Sequence, residues 1–519
     1  MIKVAAMKIQ SRVLLAGVLA IASLAAFAQD KPAAPAKSAA APASKPAASP
    51  AAKPDPEARI VGQAEALTEE QINQSHDIAA LSRVAQLYES QGDMQRFAWT
   101  LKRLIALLPD SGQLRLQLAM VYAAQNDKAR AYDVLVHMQS SGFGYDISQD
   151  TRFNNIHGTK VWDYIVANLQ VNAKQFGEGK LAFELPKGDY LFESIGYDPA
   201  RKQFLVGSAR EGKVYLADMK GKLTDFIRPT EENGMYAVLD LAVDAAHDKL
   251  YVASAGVPYF TAFKASAFGQ TSLIEYRLST GKFLNRYDLA QDGKSRLLTS
   301  ITVGKDGHVF AADGDRGQIF RLVDNELKLL AGNPTLSSIR GLAASDDGTK
   351  LYFADYAMGI FGIDLTKSTP FALAHNPDKL VLGGIVGIYF YDGRLVVIES
   401  GMVPQRVMRL KLSDDGRSVA SAMPLDVAQP AFSVPTVGAV VGDQLYFIAN
   451  SQKALYDKFG TVRDPSALEP VRIFKSNLRF AWDQSGIAGG MSELPKQKAP
   501  DAKAPPEHNP PAKSGDGSH

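Results

Sequence analysis

Charged and hydroxyl side chains recur at two fixed places in a phrase repeated six times between residues 193 and 450. At its opening stand Glu193, Leu239, Thr299, Arg340, Val386 and Val437, with Asp240 and Ser300 beside them; at its close stand Ser208, Ser254, Asp313, Asp355, Glu399 and Asn450. An arginine among carboxylates has two uses. Arg340 would be neutralised by Glu193 and Asp355 as an internal plug, or it would offer its planar fork to a carboxylate or phosphate ligand. Tyr259, Phe260, Phe263 and Phe268 fall in a long connection over 255–271. They would either wall a ligand site or pack over their own loop as a small satellite core.

Other chemistries lack their residues. With no cysteine among 519 residues, disulfide scaffolds, Cys-ligated zinc, iron–sulfur clusters, covalently attached haem and thiol nucleophiles are excluded. Gly207-Ser-Ala-Arg-Glu-Gly212-Lys213 matches most of a phosphate-binding loop, but Val214 replaces the hydroxyl residue and a strand, not a helix, is expected to follow. The eight histidines show no zinc spacing, and no Gly-x-Ser-x-Gly elbow marks a serine nucleophile. Asp313-Gly-Asp315-Arg-Gly lacks the remaining ligands of a calcium loop and reads as a turn. No cofactor motif is evident.

The phrase itself identifies the elements that must position these residues. Leu239-Asp-Leu-Ala-Val-Asp followed by Leu250-Tyr-Val-Ala-Ser is one instance: two short apolar runs, separated by a polar turn, that read as adjacent strands. The six starts lie 46, 60, 41, 46 and 51 residues apart, the pitch of four-stranded propeller blades. Residues 181–485 are therefore expected to form an all-β six-bladed propeller. The last blade shows three strands, and 181–185 is expected to supply its fourth, closing the ring and removing its edges. The innermost strand of a blade begins, and the second ends, on one face. Both sets of residues are thus expected at one mouth of the channel, with the long connections 255–271 and 451–469.

These phrases resemble the regucalcin/gluconolactonase family and the related strictosidine-synthase-like propellers. Glu193-Ser-Ile-Gly-Tyr-Asp-Pro resembles the family's opening Glu-Gly-Pro-x-x-x-Asp, and the run from Ile339-Arg-Gly-Leu-Ala to Leu351-Tyr-Phe-Ala-Asp355 resembles its Ser-Asn-Gly-Leu-Ala to Leu-Tyr-x-x-Asp phrase. The resemblance covers about 300 residues and implies a metal-dependent lactonase- or esterase-like hydrolase whose divalent cation is held by a Glu, two Asn and an Asp. Of those ligands, Glu193 alone is matched. Arg340 and Val386 stand at two of the other positions, and the remaining Asn falls at or beside Thr299. A guanidinium puts a permanent positive charge where the ion would sit. The residues taken by themselves point instead to a binding or scaffolding unit, with a small molecule or peptide at the mouth.

Ahead of the strands, residues 59–175 carry a helical period. Ala85, Tyr88, a turn at Gly92-Asp93, Leu101 and Leu104 are matched 34 positions later by Ala119, Tyr122, Asn126-Asp127, Leu135 and Met138. This self-match resembles the tetratricopeptide repeat over two units and implies a protein or peptide partner for the helices. At the start of the chain, Lys3, Lys8 and Arg12 precede an uncharged run over 13–28 that ends Ala26-Phe27-Ala28, an export signal with cleavage expected after Ala28. The run is short for a membrane span, so a periplasmic or secreted protein without a membrane anchor is expected. Residues 29–58, with 12 Ala and 7 Pro, and the Pro-rich 490–519 read as disordered spacers. Loss of 1–28 leaves 54 basic against 55 acidic residues. That balance offers no basic footprint for a nucleic acid.

Overall fold

A computed structural model describes residues 67–479 apart from Gly293. The leader over 1–28, the spacer over 29–58 and the tail over 490–519 lie outside the described residues. None of the described helices is long and apolar enough to cross a membrane.

Helices begin where a short polar side chain can take up orphan amides. Thr68 and Gln71 form a reciprocal capping box before Glu69–Gln74, and Asp77, Asp93, Ser111, Asp127 and Thr159 each accept an amide at the start of a later helix. The helices Ile78–Gln91 and Met94–Leu107 recur 34 positions on as Gly112–Ala124 and Lys128–Ser140. Their matched positions share one environment. Ala85 and Ala119, Tyr88 and Tyr122, Leu101 and Leu135, and Leu104 and Met138 are all buried in a common core. Lys160–Asn172 follows, and Trp162, Ile165 and Leu169 extend that core.

From Phe192 to Asn477 the chain builds six sheets around a ring, each with four antiparallel strands of the propeller in simple succession. Blade one covers 192–227, blade two 237–288, blade three 298–332, blade four 339–372 and blade five 385–427. Blade six takes three strands from 438–477 and its outermost from Lys180–Leu185, which pairs Leu185 with Val471 and Lys180 with Lys475. The ring is thus closed by the expected strand. A further two-residue strand, Phe176–Gly177, adds to the outer edge of blade five. Asp426 anchors this crossing by accepting the Gly179 amide at 2.8 Å.

The helices rest on the propeller. Val381 and Met402, from loops of blades four and five, are buried in the helical core, with Ala357 and Met358 packed against it. The Leu382 amide donates to Asp110 at 3.2 Å, and the Gly144 amide donates to the Val403 carbonyl at 2.8 Å. Gly142, at φ +88°, turns the chain where a Cβ would lie 2.9 Å from an Arg406 guanidinium nitrogen. All these propeller loops lie on the face where second strands end. The helices therefore cover that face over blades four and five.

Candidate functional site

Each inner strand of the first five blades opens with a register slip. The pairing skips Glu193 in blade one, Leu239 in blade two, Thr299 in blade three, Arg340 in blade four and Val386 in blade five. A bulge leaves one residue out of the ladder and re-aims its side chain. The neighbours Phe192, Val238, Leu298, Ile339 and Ile385 are buried, whereas the five bulged residues are half-buried; of these Leu239 and Val386 pack against hydrophobic clusters, and Thr299 donates to the Ile339 carbonyl at 2.8 Å.

The residues that close the phrase do something else. Ser208, Ser254, Asp313, Asp355, Glu399 and Asn450 are all at most 3% exposed, so they do not face the mouth as the strand pattern suggested. Five of them hold the chain near the mouth. Asp355 accepts the amides of Ser338, Ala357 and Met358, Asp313 that of Leu297, Ser254 that of Tyr236 and Asn450 that of Arg472, while Ser208 donates to the Tyr190 carbonyl. Burial pushes Asp313 up to about 6. Glu399 pairs with Arg406 beneath the helical layer.

Asp240 also turns away from the rim. It accepts the Ile301 amide at 2.8 Å and the Ser300 hydroxyl at 3.3 Å, joining blades two and three along the channel wall. Burial pushes its carboxyl up to about 7. Burial raises the phenol of Tyr389 in blade five, and the Asp240 charge adds to that shift.

Three of the four loop aromatics take the second of the expected roles. Phe260 is 6% exposed and packs with Leu191, Ala209 and Tyr456 as a satellite core, joined by Phe263 and by Tyr259, whose ring lies edge-on to that of Tyr456; Phe268 is exposed. Tyr259 also has the Lys453 ammonium 5.5 Å from its ring centre. Arg210 clamps the two long loops by donating to the carbonyls of Tyr259 at 2.6 Å and Gly460 at 2.8 Å, and it pairs with Asp189.

Four mouth residues were not singled out from the strand phrase: Asp315, Tyr356, Ser451 and Lys453. Each lies one to three positions beyond a phrase-closing residue. Continuing the blade alignment past the second strand would have found them. Ser451 donates to Glu193 at 2.9 Å, and Arg340 Nε donates to Ser338 at 3.2 Å. Burial lowers Lys453; Glu193 and Asp315 oppose that shift and Arg340 adds to it. Burial raises Asp315, opposed by Arg340 and Lys453. These couplings place Glu193, Asp315, Arg340 and Lys453 in one electrostatic group. Among the described residues, neither Arg340 nor Lys453 has a carboxylate oxygen within 4.0 Å. The plug expected between Arg340, Glu193 and Asp355 is therefore not made at contact distance.

The helical layer acts electrostatically on one residue next to the second-strand end of blade four. Tyr145 is pushed up to about 12 by burial and by the neighbouring Tyr356, which in turn feels Arg340.

No family model matches the sequence, and no curated protein does. Among solved structures, virginiamycin B lyase from Staphylococcus aureus is similar at 18% identity and a TM-score of 0.38, covering 58% of this chain and 100% of that one. A streptogramin B lyase is similar at 14% identity and a TM-score of 0.36, covering 59% of this chain and 98% of that one. A luciferin-regenerating enzyme is similar at 16% identity and a TM-score of 0.38, covering 56% of this chain and 92% of that one.

Proposed function

We propose that this chain is an exported binding protein whose propeller mouth takes a small organic anion, a carboxylate or a phosphate. The observation that carries this reading is the pair of cations at the mouth, Arg340 and Lys453, neither in contact with a carboxylate among the described residues. Both cations share one electrostatic group with Glu193 and Asp315 but touch neither carboxylate, so donors of each stay open to a ligand anion. Tyr259 and Tyr356 supply flat apolar surface for the ligand's body, and Glu193 and Asp315 supply acceptors for hydroxyl groups. The leader over 1–28 supports export. The recurrence of caps and buried Ala and Tyr at 34 residues supports two tetratricopeptide-like units that hold one side of the mouth and offer their remaining surface to a protein partner.

The divalent cation of the resembling hydrolases does not fit this donor set. Glu193 already accepts from Ser451, and Arg340 places a fixed positive charge in the same group. Among the described residues no three His, Asp or Glu side chains are grouped to hold a metal.

Titration calorimetry of residues 29–519 against pyruvate, citrate and inorganic phosphate tests the reading. Binding of one of these is expected. Arg340→Gln removes a charged hydrogen bond of about 1.5–3 kcal/mol, so its Kd should rise about tenfold to a hundredfold. Unchanged affinity in that variant would sink the proposal.

A further inference from the structure

We propose that the helix Lys160–Asn172 is the contact of a parallel homodimer, so that the protein partner of the helical layer is a second copy of this chain. The inference rests on the reading that the helices meet a protein and names that protein; it is independent of the anion at the mouth. The helix has two apolar faces and uses one. Trp162, Ile165 and Leu169 are buried in the common core, whereas Val161, Tyr164 and Val171 are 47%, 59% and 53% exposed. At about 100° per residue these three fall on one stripe with Asn168. The stripe is spaced by three, four and three positions. That is the a and d spacing of two heptads, the narrow contact of a helix pair rather than the wider face a helix lays on a globular core.

The stack says what covers it. From Ile78–Gln91 onward each helix packs on the next in chain order, ending with Lys160–Asn172 on Lys128–Ser140. Among the described residues no later α-helix follows to cover the outer side of the last one. A helical array whose end is apolar is completed by another helix, and a second copy supplies one to each chain at once. Asn168 decides the orientation. Its amide donates to the Tyr164 carbonyl at 2.7 Å, and its Oδ1 accepts no hydrogen bond from a described residue. In a parallel pair Asn168 meets Asn168 of the second copy, and each remaining N–H donates to the other Oδ1; one asparagine at an a position sets two strands in one register. An antiparallel pair would instead set Asn168 against Tyr164 and bring Lys160 to the end that carries Lys174. A helix of 13 residues is about 20 Å long and about 10 Å wide. The pair therefore buries less than the about 1,200 Å² of a tight complex, and the dimer forms reversibly with concentration.

Sedimentation equilibrium of residues 29–519 from about 1 μM to about 500 μM tests this, and the mass should rise toward twice that of the monomer. Tyr164→Glu and Val171→Asp, both at exposed positions, should each hold the chain at monomer mass and leave its thermal midpoint at about 1 μM unchanged. Because the chain has no cysteine, a single introduced one reports the register. Val161→Cys should oxidise to a covalent dimer, whereas Gln170→Cys, exposed on another face, should not. Monomer mass at every concentration overturns the inference and leaves the anion site untouched. A dimer that survives both charged variants overturns it as well, by placing the contact elsewhere. Cross-linking that needs Val161→Cys mixed with Val171→Cys overturns the parallel register. A chain that dimerises only after residues 29–66 or 480–519 are removed would assign the stripe to one of those segments, and the second copy would fall as its occupant.

Discussion

Asp240 has a pH consequence whose sign follows from where it sits. Its carboxyl is enclosed in the channel wall and burial pushes it up to about 7, whereas an unfolded aspartate titrates near about 4. The folded chain therefore holds this proton over a range in which the unfolded chain has lost it. The associated stability is whole below about pH 4 and is lost as pH rises through about 7. Asp240→Asn keeps one acceptor for the Ile301 amide and cannot ionise. Urea unfolding of both proteins at about pH 4 and about pH 8 should show the variant gaining on the wild type at the higher pH. A difference that stays flat would remove Asp240 as a titrating group. At this scale the sequence was partly legible. Glu193 and Arg340 were found because every blade repeats the phrase that carries them. Their aim was not visible, because it comes from a bulge, and a bulge changes the face a side chain takes without changing residue type. Asp315 reads in the sequence as part of a turn and Lys453 lies within the connection 451–469; neither place has a strand period from which the aim of a side chain can be read.

Among the elements, the strand Lys180–Leu185 has the largest consequence for its length. It joins the start of the propeller to its end, and Phe183 and Leu185 fill the seam beside Phe204, Ile448 and Ile473. Leu185 is 1% exposed, and truncation of such a residue leaves a cavity that costs about 2–5 kcal/mol. Leu185→Ala should lower the urea-derived unfolding free energy of the whole propeller by that amount, with a lower midpoint, because an opened ring exposes two sheet edges. A loss below about 1 kcal/mol would show that the seam is not what holds the ring. This closure was legible because blade six lacked a strand and 181–185 had the right alternation. The strand Phe176–Gly177 was not, since two residues have no period to read. Its existence follows from connection: the chain leaves the helix Lys160–Asn172 beside blade five and must reach the outer edge of blade six.

For the whole molecule, the helices and the ring share one core. Met402 is a propeller residue, 1% exposed, buried in the same cluster as Met138, Leu135 and Trp162 of the helices. Composition and period revealed two units but could not show that they dock, because the contact is made by single residues in loops of blades four and five. If the units unfold independently, a change in a propeller loop leaves the helices untouched. If they unfold together, Met402→Ala should destabilise the helices about as much as Met138→Ala does, each by about 2–5 kcal/mol. Two of the three tryptophans, Trp99 and Trp162, are helical, so a Trp482→Phe background makes fluorescence a report on the helices alone. The expected result is an equal fall in the fluorescence midpoint for both methionine variants. An unmoved midpoint for Met402→Ala would separate the two units. The outcome bears on the second-strand face as well, because Ala357 and Met358, next to Tyr356, pack against the helical core only while the helices stay docked. In a chain whose units unfold together, an anion held by Arg340 and Lys453 should raise the midpoint of the helices along with that of the ring, since a ligand that binds the native state alone stabilises all that unfolds with its site.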